Sequence, residues 1–349
     1  MPALFDLVTA GAIGAYWTES AANKIPYLGE TLFPARKKIG LDLSWIKGRN
    51  GLPAALRPSH FDAKPQVRDR IGVSEVKTEM PFFRESMTVK EKDRQQMLQF
   101  QASNDQYAQI ILGQVYNDAA GLVDGALVQS ERIRMQLLAD GAVNISDGTL
   151  GYEYNFDPDG EYAASNKGEL AGTARWSQAQ SNPVTAILEI QDKIEETTGT
   201  RPTRAVMSRK TWGYLLSNAA IKGDMSVRGG DKLILTDALL QQYLMTKLGL
   251  AVEIYSKKYR DEAGDVHPFY PDDQVTFLPE GALGTTWYGT TPEEADLLSE
   301  QGVQVSIVNT GVAVKTYKEV NPVNIVTTVS QIVMPSFERM DETYILKVA

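Results

Sequence analysis

The stretch from Asn104 to Asp140 constrains this chain more than any other. Its apolar residues Ile111, Val115, Ala119, Leu122, Leu127, Ile133 and Leu137 fall mostly three to five apart, the recurrence of one helical face. An unbroken helix of that length runs roughly 50 Å at about 1.5 Å per residue, longer than a compact domain usually needs. The spacing therefore predicts a strut. An extended charged segment lies before it and a two-part α/β region after it, a layout that suits a tile in an assembly more than an enzyme built around a pocket.

The 349 residues suffice for about two domains and a substantial core. Cysteine is absent, which excludes disulfides and thiolate metal sites and fits a reducing compartment. Acidic residues outnumber basic ones by 44 to 35, and a net charge of -9 argues against a general polyanion binder, because neutralising phosphates takes clustered Lys and Arg. Residues 1–17 hold an apolar run but carry Asp6 and no Lys or Arg ahead of it, a poor secretory signal. No stretch approaches the ~18 uncharged apolar residues of a membrane span. The expectation is a soluble protein made in the cytoplasm.

Pro2 to Tyr16 suits a short amphipathic helix, and an arm containing Pro26, Gly29 and Pro34 follows, with little core of its own. From Ser44 to Lys90 the chain is dense in Gly, Pro and charge. Structureless loops this long are uncommon inside compact domains. Because residues around Val73, Val76 and Met80 to Phe83 suit strands, the segment is expected to project as a two-stranded loop. Arg49, Arg57, Arg68 and Arg70 alternate there with Asp62 and Asp69, a mixture suited to ion pairing between subunits or to plain solvation.

Beyond the strut, residues 143–145 and 152–156 alternate around Asp147-Gly148 and predict a hairpin. Tyr162 to Gln180 reads as a polar connection. Asn182-Pro183 then opens a helix with Ile187, Ile190 and Ile194 on one face, ended by Gly199. A strand is expected from Arg204 to Ser208, a helix holding Trp212 and Leu215 capped by Ser208, and another holding Leu240 and Leu244 capped by Thr236 or Asp237 and ended near Gly249. Strands are expected at 251–255, 274–278 and 304–309, with a charged tip from Lys257 to Pro271. The Val- and Thr-rich residues 311–333 suit strands that return to the unit holding the strut.

Little in the sequence supports catalysis. The two histidines, His60 and His267, are far apart and read as loop residues. Asp157, Asp159, Gly160 and Glu161 hint at a calcium loop, but Tyr162 and Gly168 occupy the positions of its central glycine and closing glutamate. Neither a GxGxxG nor a GxxxxGK phosphate cradle occurs. The carboxylate runs Glu195-Glu196 and Glu293-Glu294 with Asp296 read as solvated helix faces. No catalytic residue, cofactor or metal site is assigned.

The order of segments resembles the phage major capsid protein E family, the lambda-like group with the Hong Kong 97 capsid fold. The likeness is sharpest at Arg175-Trp176-Ser177, at Asn182-Pro183 and its helix, at Thr198 to Ser208, at Thr211-Trp212 and Leu215 to Asn218, and at the ending Met334 to Tyr344. It implies an α+β chain with an N-terminal arm (1–43), an extended loop lying over a neighbouring subunit (44–90), a peripheral domain with the spine helix and hairpin (91–181), an axial α/β domain (182–310) and return strands of the peripheral domain (311–349). The axial tip would include Lys257, Lys258, Arg260 and Asp261.

On this resemblance the expected function is a major capsid subunit of a tailed phage. It would form hexamers and pentamers in an icosahedral shell that encloses double-stranded DNA without sequence-specific binding. An arm that begins at Met1 implies a separate scaffold protein; a portal and a decoration protein are further expected partners, and no membrane is. Two alternatives stand beside it: an encapsulin-like shell, separated by whether particles hold DNA or cargo protein, and a cytoplasmic α/β hydrolase using carboxylates between residues 182 and 309, which would run as a small oligomer.

Overall fold

The expected strut is one continuous helix of 35 residues, Gln106–Asp140. The computed structural model describes residues 8–21, 26–47, 74–91, 95, 106–146, 151–226, 234–261, 263–296 and 303–349. The chain opens with helix α1 (Ala10–Ala21), the single turn α2 (Leu28–Leu32) and strand β1 (Ala35–Lys37). Strands β2 (Asp42–Lys47) and β3 (Ser74–Glu79) pair with each other, and β4 (Phe82–Val89) follows. The long helix is α3, succeeded by the hairpin β5 (Ala142–Ser146) and β6 (Gly151–Asn155), then by α4 (Glu161–Asn166) and β7 (Lys167–Glu169). Next come α5 (Pro183–Thr198), β8 (Arg204–Met207), α6 (Arg209–Ser217), α7 (Ala219–Met225), α8 (Asp237–Leu248) and β9 (Ala251–Ile254). The chain continues through β10 (Lys258–Arg260), β11 (Val266–Pro268), β12 (Gln274–Leu278), β13 (Thr285–Tyr288), α9 (Pro292–Asp296), β14 (Val303–Val308), β15 (Val312–Lys318), β16 (Ile325–Ser336) and β17 (Tyr344–Lys347).

These elements form two units, one of residues 1–43, 77–134 and 285–336, the other of residues 44–76, 135–284 and 337–349. The first is organised by β16, whose 12 residues are all buried. Its Val, Ile and Thr content suits a strand with neighbours on both sides. Strand β4 pairs antiparallel along Ile325 to Ile332, β15 along Ile325 to Ser330, and β13 along Val333 to Ser336. The backbone amides and carbonyls of so deeply buried a strand need partners, and these ladders supply many of them.

Helix α1 does not behave as a coreless arm. Ile13 and Trp17 join Ala119, Val123, Val312 and Val314 in one apolar cluster, and Trp17 Nε1 donates to Asp124 Oδ1 at 2.8 Å. Residues 2–7 of the predicted helix Pro2 to Tyr16 lie outside the described residues; the helix ends later than predicted, at Ala21, and Ile13 and Trp17, four residues apart, put both large side chains on its buried face.

The segment after it is fixed by buried polar atoms. The Gly29 amide donates to Glu131 Oε1 at 3.0 Å, and Glu131 Oε2 lies 3.3 Å from Arg134 Nη1. Arg134 Nε donates to Thr286 Oγ1 at 2.9 Å, and Thr286 Oγ1 donates to the Phe33 carbonyl at 2.7 Å. Strand β1 then pairs in parallel with β13. Leu32 and Phe33 are wholly buried. The sequence does not show how this segment is held, because Glu131 lies 102 residues from Gly29 and Thr286 lies 253 residues from Phe33.

In the second unit the sheet order is β7-β17-β12-β8-β9. Residues alternate across it, so Ala205, Met207, Val275, Phe277 and Leu346 face a core filled by Ile187 and Ile194 of α5, Trp212 and Leu215 of α6, and Leu240 and Leu244 of α8. On the other face, Thr276 Oγ1 donates to the Leu138 carbonyl at 3.1 Å and Gln274 Nε2 to that of Ala139 at 2.6 Å. The expected caps are in place. Asn182, Ser208 and Thr236 accept from the amides of Thr185, Thr211 and Leu239, while Gly199 and Gly249 end their helices at φ +74° and +60°.

The return strands divide between the two sheets. Strands β15 and β16 join the first, whereas β17 pairs antiparallel with β12 in the second. Residues 285–308, expected with the axial segment, contribute β13, α9 and β14 to the first unit. Local pattern identifies strands but not their partners, since Val- and Thr-rich segments fit either sheet.

Two stability outcomes follow. Leu137 is wholly buried while Leu122 is only partly so, so Leu137→Ala should cost about 2–5 kcal/mol and Leu122→Ala less, read as shifts in the urea midpoint. A Cβ at Gly29 would overlap Glu131 Oε2 and lie 2.6 Å from Arg134 Cδ. Gly29→Ala should therefore destabilise by about 1–3 kcal/mol, and an unmoved midpoint would count against the buried anchor.

Candidate subunit-contact surfaces

Arg49, Arg57, Asp62, Arg68, Asp69 and Arg70 lie outside the described residues. The strands that flank them are described: β2 and β3 form a two-stranded sheet of their own. Near its base, Trp45 is buried with its ring 5.0 Å from that of Phe156, and the Met80 amide donates to the Leu41 carbonyl at 2.9 Å. The expected loop strand at Met80 to Phe83 instead begins β4, which belongs to the large sheet of the first unit.

Lys257, Lys258, Arg260 and Asp261 sit together on and beside the β10–β11 hairpin. Asp261 organises its turn. Its Oδ1 accepts from the amides of Ala263 and Asp265 at 3.0 and 2.8 Å, and its Oδ2 lies 2.8 Å from His267 Nε2. The hydrogen bond with His267, joined by the Asp265 amide, holds the Asp261 carboxyl below the usual carboxylate range. Behind the turn, the Tyr259 ring lies 5.7 Å from His267 and 5.0 Å from Phe269. Lys258 and Arg260 are exposed. The arrangement is a stiffened hairpin in which His267 helps to hold the turn.

The carboxylate runs divide in a way that spacing does not show. Glu195 is solvent-facing and pairs with Arg201 at 2.5 Å, together with Asp192 at 2.7 Å. Glu293 corrects the expectation of a solvated face, because it is buried. Its Oε2 accepts from Ser330 Oγ at 2.8 Å, and its Oε1 lies 3.6 Å from Arg84 Nη1 and 3.7 Å from Lys315 Nζ. Strands β4, β15 and β16 each supply one of those partners. Glu294, beside it, pairs with Lys37.

Other polar groups stabilise junctions. Asp157 caps α4 by accepting from the amides of Tyr162 and Ala163 at 2.9 and 2.7 Å, which accounts for the acidic cluster that hinted at calcium. Asp273, in the left-handed region at φ +62°, went unnoticed in the sequence although Asp272-Asp273 is a turn signal. It binds Lys210 Nζ at 2.6 Å and Tyr214 OH at 2.7 Å, and its carbonyl accepts from the Val348 amide at 2.8 Å. Burial opposes its charge, but the hydrogen bonds from Lys210 and Tyr214 prevail and hold its carboxyl low. Burial pushes the Tyr162 and Tyr270 phenols up, each hydrogen-bonded to a threonine. Among the described residues no group of three or more His, Asp or Glu could hold a metal, and no helix is long and apolar enough to cross a membrane.

Several solved structures resemble the chain over nearly its whole length. A candidate capsid protein of a prophage of E. coli CFT073 matches 98% of this chain and 99% of its own at 15% identity, with a TM-score of 0.59. A phage-related protein from Bordetella bronchiseptica RB50 matches 98% of this chain and 97% of its own at 14% identity, with a TM-score of 0.56. At such identities the likeness is one of fold, and the fold is the Hong Kong 97-type capsid fold. The comparison with curated proteins finds no match. The model of the phage major capsid protein E family matches residues 9–348, all but the ends, and the chain belongs to that family.

Proposed function

We propose that the chain is the major subunit of a tailed-phage head, assembling as hexamers and pentamers into an icosahedral shell around double-stranded DNA. The observation that carries this reading is the family match over residues 9–348, joined to a fold in which one 35-residue helix serves as a strut. A shell subunit makes modest contacts with many copies of itself. Among the described residues the buried carboxylates are engaged within their own units, Glu131 by Arg134 and the Gly29 amide, Glu293 by Ser330 and Lys315, Asp157 by the amides of Tyr162 and Ala163, and Glu342 by Arg339. The chain acts as structure, not as an enzyme.

In this reading the first unit is the peripheral domain and the second the axial domain, with the β10–β11 hairpin as its tip. The extended loop of this reading, residues 44–90 apart from the strand β4 that joins the large sheet, carries Arg49, Arg57, Asp62, Arg68, Asp69 and Arg70, which pair with a neighbouring copy. A separate scaffold protein, a portal and a decoration protein complete the head, which assembles in the host cytoplasm. The net charge of -9 suits a container that does not grip its DNA and reads no sequence.

The test is expression alone and with a scaffold, followed by electron microscopy and sedimentation. The unmodified chain should give closed particles, and deletion of Gly48 to Arg70 should leave a folded, soluble subunit or small oligomer that closes none. Normal particles from the deletion would remove the loop from assembly. Particles filled with cargo protein would favour a compartment shell, and a small oligomer with copurifying hydrolase activity would overturn the capsid reading.

A further inference from the structure

The three large helices over one face of the second unit's sheet differ in what they show to solvent. Helix α5 is solvated in the ordinary way, exposing Glu189, Asp192, Lys193, Glu195 and Glu196. Helix α6 exposes Arg209 and Lys210 at its start. Helix α8 buries only the stripe Leu240, Leu244 and Leu248, and the opposite side presents Ala238, Leu239, Gln242, Met245 and Thr246 with no charge among them. Leu239 is 41% exposed, Met245 51%, and Ile234, just ahead of the helix, 84%. The helix carries one acid and one base, at opposite ends, and both are neutralised within the unit. Asp237 pairs with Arg209 at 2.7 Å, and Lys247 pairs with Asp224.

From this we infer that the outer face of α8, extended by Ile234, is a contact surface for a second copy of this chain. Depletion of charge with enrichment of Met and large apolar side chains distinguishes the centre of an interface from ordinary surface. The electrostatics select the occupant. Copies of a chain with net charge -9 repel one another at long range, so an apolar contact between them is least opposed where the surface carries no field, and this patch is closed at both ends by internal ion pairs. The same neutrality offers nothing to a polyanion or to a charged tail.

The inference rests on the shell reading above, and its test separates the two. Because the chain has no cysteine, single cysteines report cleanly on exposure. Gln242→Cys on α8 and Glu196→Cys on α5 should react with a maleimide at similar rates in dissociated subunits. In assembled particles Gln242→Cys should react at least tenfold more slowly, with Glu196→Cys serving as the solvated reference. Leu239→Glu with Met245→Glu should leave the thermal melt of the subunit unchanged and abolish particles. Equal Gln242→Cys reactivity in subunits and particles, or particles from the double variant at the unmodified yield, overturns the α8 assignment and leaves the shell reading standing. Protection seen only in particles that contain a second protein assigns the face to that protein and likewise overturns it. No particles from the unmodified chain overturns the shell reading itself, and the α8 contact with it.

Discussion

Strand β16 is the constraint on which the first unit depends. Twelve consecutive buried residues remove the backbone from water, so β4, β13 and β15 are required to satisfy its amides and carbonyls. Each of those strands brings something else. Strand β13 carries Thr286 and Tyr288, which hydrogen-bond to Arg134 of the long helix, and it also pairs with β1. Strand β15 brings Lys315 to the buried Glu293, and β4 brings Arg84. The strut, the N-terminal segment and the sheet are thus held by one set of ladders and the polar side chains those ladders position.

Much of the second unit was legible in the sequence, because its signals are local. Asn182, Ser208 and Thr236 cap helices, Gly199 and Gly249 end them, and apolar spacing marks their inner faces. The long helix was legible for the same reason, its apolar residues repeating over many turns. What escaped was pairing across the chain. Nothing near Tyr344 reveals that β17 pairs with β12 and β7, while β15 and β16 pair elsewhere. The N-terminal helix was misjudged in its reach because Trp17 and Ile13 find their partners in residues 119–123 and 308–329.

Candidate contact residues were less legible than the fold. Lys257, Lys258, Arg260 and Asp261 lie on and beside one hairpin, but the role of His267 in holding Asp261 required geometry, since a lone histidine carries no spacing signal. Glu293 and Glu294 are adjacent and of one type, yet one is buried under the sheet and the other pairs with Lys37 at the surface. Composition cannot separate them, because the burial of a side chain on a five-residue helix is decided by what lies over it.

The way Glu131 and Thr286 hold residues 28–34 has a consequence for sequence drift. Both grip main-chain atoms, the amide of Gly29 and the carbonyl of Phe33, so the grip is indifferent to most of the side chains it holds. Substitutions at the exposed Thr31, Ala35 and Arg36 leave those hydrogen bonds in place, while Gly29, Leu32 and Phe33 answer to a crowded interior. Homologous chains can therefore diverge widely along this segment and still lay it down on the same path, the record of its anchor surviving in a glycine and in two residues far away in the sequence.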